Sequence, residues 1–260
     1  MDSSTTTVPA APPTIPKGVP PLRAGQGRSF FWRRLHSLTG IVPVGAFLVE
    51  HFISNAFATN GPQAYADQVK FLTGLPFTIW LEIFGIYIPI LFHGFYGVYI
   101  WWRGENNVTD YPWTGNWLYT SQRWTGIIAF AYMAWHVYTM RFSGVHLFGE
   151  GHVWAFAKVR HELVQPLFLF FYVAGIISAS WHFAYGIWLF CAKWGIAVGD
   201  NARRKLGYAC LAIGLLLATI GGLTVKAFIR PAADWPKKML ELPAGEHKSQ
   251  QAPTPLEPKS

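Results

Sequence analysis

The sequence predicts an all-α integral membrane protein, a bundle of five transmembrane helices with its N-terminus in the cytoplasm and its C-terminus outside. Three observations predict this class. Of the 260 residues, 52% are hydrophobic and only 13% charged, about half the ~25% charge of a soluble domain. The charges cluster at the chain ends and in short breaks between long apolar stretches. There are five such stretches, and each reaches the ~20 residues that carry a helix across ~30 Å of hydrocarbon.

In chain order, residues 1–27 run Ser, Thr, Pro and Ala without periodicity and read as a disordered tail. They hold no apolar core and so do not form a cleavable signal peptide. The five-helix domain is expected over 28–230. Its spans are 32–56, with Gly40, Pro43, Gly45 and His51; 77–102, with Pro89, His93, Gly94 and Gly97; 121–141, with Gly126 and His136; 163–191, with Gly175, His182 and Gly186; and 205–229, with Gly214. Glycine and proline weaken soluble helices but are ordinary in membrane helices, where small residues let backbones approach. Trp32, Trp80, Trp101, Trp102, Trp117 and Trp194 fall near span ends, the depth that indole rings favour. Residues 231–260, rich in Pro, Lys and Glu, read as a second disordered tail.

Basic residues orient the bundle. Lys17, Arg23, Arg28, Arg33, Arg34, Arg103, Arg123, Lys193, Arg203, Arg204 and Lys205 lie on one side, against Lys70, Arg141, Lys158 and Arg160 on the other. The richer side faces the cytoplasm. The net charge of +8 is thus mostly a topology signal and gives no argument for nucleic acid; the surrounding partner is membrane lipid. Cys191 and Cys210 are the only cysteines and, without a Cys-x-x-Cys neighbour, read as unpaired.

His51, His93, His136 and His182 place one histidine in each of the first four spans. Ionisable residues inside a bilayer are costly and point to function. One alone would ordinarily be explained by a hydrogen bond to a neighbouring helix; four, one per consecutive helix, are poorly explained as separate accidents. Each lies near the end of its span, ~24–28 Å from the entry side. Consecutive helices are antiparallel, so His51 and His136 share an outer level and His93 and His182 an inner one. Two histidines at one depth form a bis-imidazole clamp suited to a haem iron.

Short repeats follow the same pairing. His-x-x-Tyr-Gly opens at His93 and again at His182, and each glycine, four residues on, is expected to leave room for a flat macrocycle. Thr-Gly-Ile occurs at 39–41 and 125–127, ahead of His51 and His136. A zinc or copper site would need its ligands in one coordination sphere, and the absence of Cys-x-x-Cys-His from the sequence excludes covalent haem attachment. Proton-relay transporters bring several membrane carboxylates; here only Glu50 and Glu82 qualify.

Several motifs carry a family resemblance: Phe-Trp-Arg-Arg-Leu-His-Ser-Leu-Thr-Gly (31–40), Leu-Pro-Phe (75–77), Leu-Glu-Ile-Phe (81–84), His-Gly-Phe-Tyr-Gly-Val-Tyr (93–99), Gln-Arg-Trp-Thr-Gly-Ile (122–127) and Trp-His-Val (135–137). Together they resemble the single-subunit di-haem cytochrome b anchor of succinate:quinone oxidoreductases, the succinate dehydrogenase and fumarate reductase enzymes. The resemblance covers about 28–229 and is more specific in the first three spans than in the last two. It implies two haem b groups, with His51 and His136 holding the distal one and His93 and His182 the proximal one. It also implies partners: a flavoprotein subunit, an iron–sulfur subunit and a membrane quinone, menaquinone or ubiquinone. The expected place is the bacterial cytoplasmic (inner) membrane, in the respiratory chain and tricarboxylic acid cycle. No succinate chemistry is expected of this chain alone.

Arg33, Arg34, His36 and Arg123 lie at the cytoplasmic ends of the first and third spans. They anchor to headgroups or contact a proximal haem propionate or the iron–sulfur subunit. Glu82 precedes His93 by eleven residues, ~20° away on the helical wheel. It is a candidate for proton exchange with quinone, set against simple snorkelling to the outer interface. Two other readings stay open: a di-haem subunit of another quinone-linked enzyme, of hydrogenase or formate dehydrogenase type, and a haem-free anchor or transporter.

Overall fold

The computed structural model describes residues 26–105, 107–231 and 235–243. The expected N-terminal tail lies outside these residues but for its last two, as does most of the C-terminal one. All regular structure among the described residues is helical. Contacts divide the chain into a unit ending at Arg34 and a second from Leu35 onward. In the first, the start of α1 (Gln26–Ile41) exposes Phe30, Phe31 and Trp32, and the Arg34 guanidinium lies 4.9 Å over the Phe30 ring.

The second unit carries the bundle. α1 gives way to α2 (Pro43–Ala56) at Pro43, which has no N–H to return to the carbonyl of Thr39. Val42 still donates to Leu38 at 2.9 Å, so the helix runs on through the break. The second span is less regular than its composition predicts. A short α4 (Thr78–Trp80) leads into a π-helical stretch, Leu81–Tyr87, and then α5 (Ile88–Arg103). Pro89 removes another helical donor at that junction, and a widened turn is one way a helix absorbs the missing bond. α6 (Thr114–Val137) starts seven residues before the predicted 121 and ends in a π turn, Tyr138–Phe142. α8 (Pro166–Lys193) and α9 (Asp200–Ile229) are unbroken.

Among the described residues, four helical stretches are long and apolar enough to cross a membrane: Ser29–Asn60, Thr78–Arg103, Pro166–Lys193 and Asp200–Ile229. The expectation named five. α6 has the length, 24 residues, or ~36 Å, but its first half carries Thr114, Asn116, Thr120, Ser121, Gln122 and Arg123. The chain is a multi-pass helical membrane protein, and its surface agrees. Leu167, Phe170, Leu215 and Tyr208 are exposed while Ser178, Ser180 and Thr224 are buried, the reverse of a water-soluble pattern. α8 packs against both α6 and α9, and α2 lies along α9. At Gly175 of α8, an added Cβ would stand 2.1 Å from the Tyr132 ring, so only glycine admits this close packing.

The connections hold structure that composition did not show. α3 (Pro62–Thr73) and α7 (Ala155–Leu163) cover one end of the bundle around Tyr65, Phe156, Leu163 and Phe228. Lys158 Nζ donates to the carbonyls of Met140, Ser143 and Val145 at 3.0, 2.7 and 2.7 Å, satisfying acceptors where the π turn ends. Residues 235–243, assigned by composition to the tail, include a 3-10 turn, Lys237–Met239, with Met239 buried. The Trp235 ring lies 6.4 Å from that of Phe156. Leu240 packs against the same core, and a polar average conceals these apolar contacts.

Candidate functional site

The four membrane histidines come together as two pairs. The rings of His51 (α2) and His136 (α6) have centres 5.7 Å apart with planes at 75°. Those of His93 (α5) and His182 (α8) are 6.1 Å apart at 82°. His36, on the same continuous helix as His51, stacks on His93 with ring centres 4.1 Å apart. His36 and His51 are fifteen positions apart in the sequence, which puts the two pairs ~22 Å apart along the helix.

His93 and His182 are held in the same way. His93 Nδ1 lies 3.0 Å from the carbonyl of His36, and His182 Nδ1 lies 3.0 Å from the carbonyl of Gln122. A carbonyl only accepts, so Nδ1 carries the proton and Nε2 keeps a free lone pair. Four residues beyond each acceptor sits a glycine. A Cβ at Gly40 would stand 2.3 Å from His93 Cε1, and one at Gly126 would stand 2.8 Å from His182 Cε1. Thr39 and Thr125 repeat the pattern, donating to the carbonyls of His36 and Gln122 at 3.1 and 3.3 Å. The Thr-Gly-Ile echo thus marks two equivalent cradles, but for His93 and His182 and not for His51 and His136, which follow it in sequence. A Cβ added at Gly97 would stand 3.3 Å from His36 Nε2, and one at Gly186 would stand 3.6 Å from Gln122 Nε2.

His51 and His136 are held differently. His136 Nδ1 lies 3.2 Å from the hydroxyl of Tyr172, which itself donates to Glu162 Oε2 at 2.7 Å. Tyr132 stacks on His136, and Phe47 lies 5.3 Å from His51.

These features fit an iron held between imidazoles. Two imidazole–metal bonds of ~2 Å on opposite sides of one atom put ring centres ~6 Å apart, close to both observed separations. Metal-bound histidines characteristically give their other ring N–H to a carbonyl or carboxylate-linked group, as three of these four do. No cluster of three or more His, Cys, Asp or Glu side chains that could hold a metal ion occurs among the described residues.

The second-tier residues separate. Glu82 forms a 3.0 Å ion pair with Arg141; it is therefore neither free in the interior nor reaching alone to the interface. Arg141 also lies over the Phe148 ring. Arg123 gives its guanidinium to the carbonyls of Glu105, Trp101 and Gly104, capping α5, while its buried Nε has no protein partner. Arg33 is exposed. Glu50 accepts from Ser54, which accepts from Gln68 at 3.0 Å. Cys191 and Cys210 are free thiols. Sequence reasoning missed Gln122, Tyr172 and Glu162; the Thr-Gly-Ile repeat, read for the residue four positions before its glycine, could have found the first.

A family profile described as succinate dehydrogenase/fumarate reductase transmembrane subunit matches residues 105–221, from just before α6 to within α9. The succinate dehydrogenase cytochrome b558 subunit of Bacillus subtilis (strain 168) is 39% identical over 202 residues, 78% of this chain and 98% of that relative.

Proposed function

The chain belongs to the succinate dehydrogenase/fumarate reductase transmembrane subunit family, and we propose that it is the di-haem form of that anchor. In this reading α6 is a fifth span, the N-terminus is cytoplasmic, and the membrane is the bacterial cytoplasmic one, as the distribution of basic residues favours. Two b-type haems would supply one-electron relay positions at two depths. His51 and His136 hold the outer group and His93 and His182 the inner one. Flavoprotein and iron–sulfur subunits dock on the cytoplasmic side, and electrons pass between them and membrane quinone.

Each part of the chain has a definite task in this scheme. The carbonyls of His36 and Gln122 fix the tautomer and direction of the inner imidazoles. Gly40 and Gly126 give those rings their space. Arg123 Nε, the guanidinium nitrogen left over after capping α5, is a donor for an inner propionate. Glu82, ion-paired with Arg141 at the outer end of the second span, is a proton acceptor placed for an outer quinone site.

The observation that carries this reading is the matched seating of His93 and His182, repeated in a second pair of helices. Haem content of the purified complex tests it. Two b-type haems per chain are expected, and a complex with one or none would overturn the assignment.

A further inference from the structure

The inner and outer histidine pairs differ in what their Nδ1 protons meet. His93 and His182 donate to neutral backbone carbonyls. His136 is instead the first member of a buried chain that ends on a carboxylate. Tyr172, 4% exposed, gives its only proton to Glu162 Oε2 at 2.7 Å. Its oxygen can then only accept from His136 Nδ1, at 3.2 Å. The protons all point one way, from imidazole to phenol to carboxylate.

Glu162 is itself 5% exposed, on α7 outside the spans. Burial pushes its carboxyl above the ordinary range, opposed by hydrogen bonds from Tyr172 and Thr139 and by the charge of Lys158. A buried carboxylate is costly wherever it stands, and this one lies beside Thr139, Lys158 and His161. What the carboxylate adds here is negative charge at the end of a hydrogen-bonded line to a ligand.

We propose that Glu162 and Tyr172 are positioning residues that strengthen His136 as an electron donor, and so hold the outer haem at a lower potential than a carbonyl-bonded imidazole would give. The proposal rests on the di-haem reading. Two effects act with the same sign: a donor chain ending in an anion gives the imidazole imidazolate character, and the negative charge itself favours ferric over ferrous iron. The inner haem, bonded to neutral carbonyls, lacks both.

The test is a potentiometric titration of the purified complex, followed by b-type absorption and by low-temperature electron paramagnetic resonance of the low-spin signals. Glu162→Gln keeps a hydrogen-bond acceptor and removes the charge, and Tyr172→Phe breaks the chain. Each is expected to raise the midpoint of one of the two components by about tenfold in its Fe(II)/Fe(III) ratio at fixed potential, or ~59 mV for one electron. The resonance of the same component should move, the other component should stay, and Glu162→Asp should restore most of the shift. If both components stay in place in both variants, or move together, the proposal is overturned. A wild-type complex with a single b component would overturn the di-haem reading instead, so the two failures are distinguishable.

Discussion

His182 donates from Nδ1 to the backbone carbonyl of Gln122, 3.0 Å away, and Gln122 returns a side-chain hydrogen bond to the carbonyl of His182 at the same distance. Two helices are thus joined at the one point where an imidazole must be aimed. The equivalent bond from His93 to His36 lacks the return half; His36 contributes a stacked ring in its place.

The first prediction follows from the cradles. Gly126→Val places a branched side chain where even Cβ would stand 2.8 Å from His182 Cε1. The ring is tied at Nδ1, so it cannot yield without losing its aim. The inner b component is expected to be lost or turned high-spin, with the outer one retained. Reduced-minus-oxidised spectra of the purified variant check this, and an unchanged pair of components would refute it.

Glu82 supplies a second. Glu82→Gln breaks the ion pair with Arg141 but changes the side chain's volume little. Positioned proton transfer contributes roughly a hundredfold or more, so quinone-linked turnover should fall by about that factor with both haems bound. Electron delivery to an artificial acceptor served by the soluble subunits should be spared. A normal quinone-linked rate would leave the pair with a structural role alone.

Partnership gives a third. The largest extramembrane features described are α3, α7 and short turns, and none forms a separate catalytic domain. The isolated chain should bind haem yet show no succinate oxidation or fumarate reduction, and activity would return on adding the soluble subunits. Turnover by the isolated chain would contradict this.

A fourth concerns stability outside the membrane. Lys158→Met removes the donor to three carbonyls while keeping much of the aliphatic stem. Acceptors left without a partner cost ~1–3 kcal/mol each, and partial rehydration brings the expected loss to about 3 kcal/mol in total. Thermal inactivation of the detergent-solubilised complex should occur at lower temperature. Equal thermal stability would show that the acceptors find other partners.

Much of this was legible before any coordinates, and for identifiable reasons. The apolar runs and their histidines are one-dimensional signals, so helix existence and the matching of His51 with His136 and His93 with His182 follow from length and direction. Helix starts did not. α6 begins with Thr114, Gly115 and Asn116 and α9 with Asp200, Asn201 and Ala202, residues that hydropathy assigns to loops although the helices extend through them. The Thr-Gly-Ile repeat was visible, but which histidine each glycine meets is a property of neighbouring helices. Glu162 escaped notice altogether. It lies in a connection, ten residues from Tyr172, and only the packing of α7 on α8 brings the two together with His136.

The central claim is that two irons are held by two histidine pairs, each at one depth. The direct measurement is the spectrum and midpoint of each b component in single replacements of the four histidines, made in the assembled complex. Replacing His51 or His136 should perturb one and the same component, and replacing His93 or His182 the other, whether the site empties or turns five-coordinate and high-spin. If His51 instead grouped with His93 or His182, ligands ~22 Å apart along the helices would have to share an iron, and the account would be wrong.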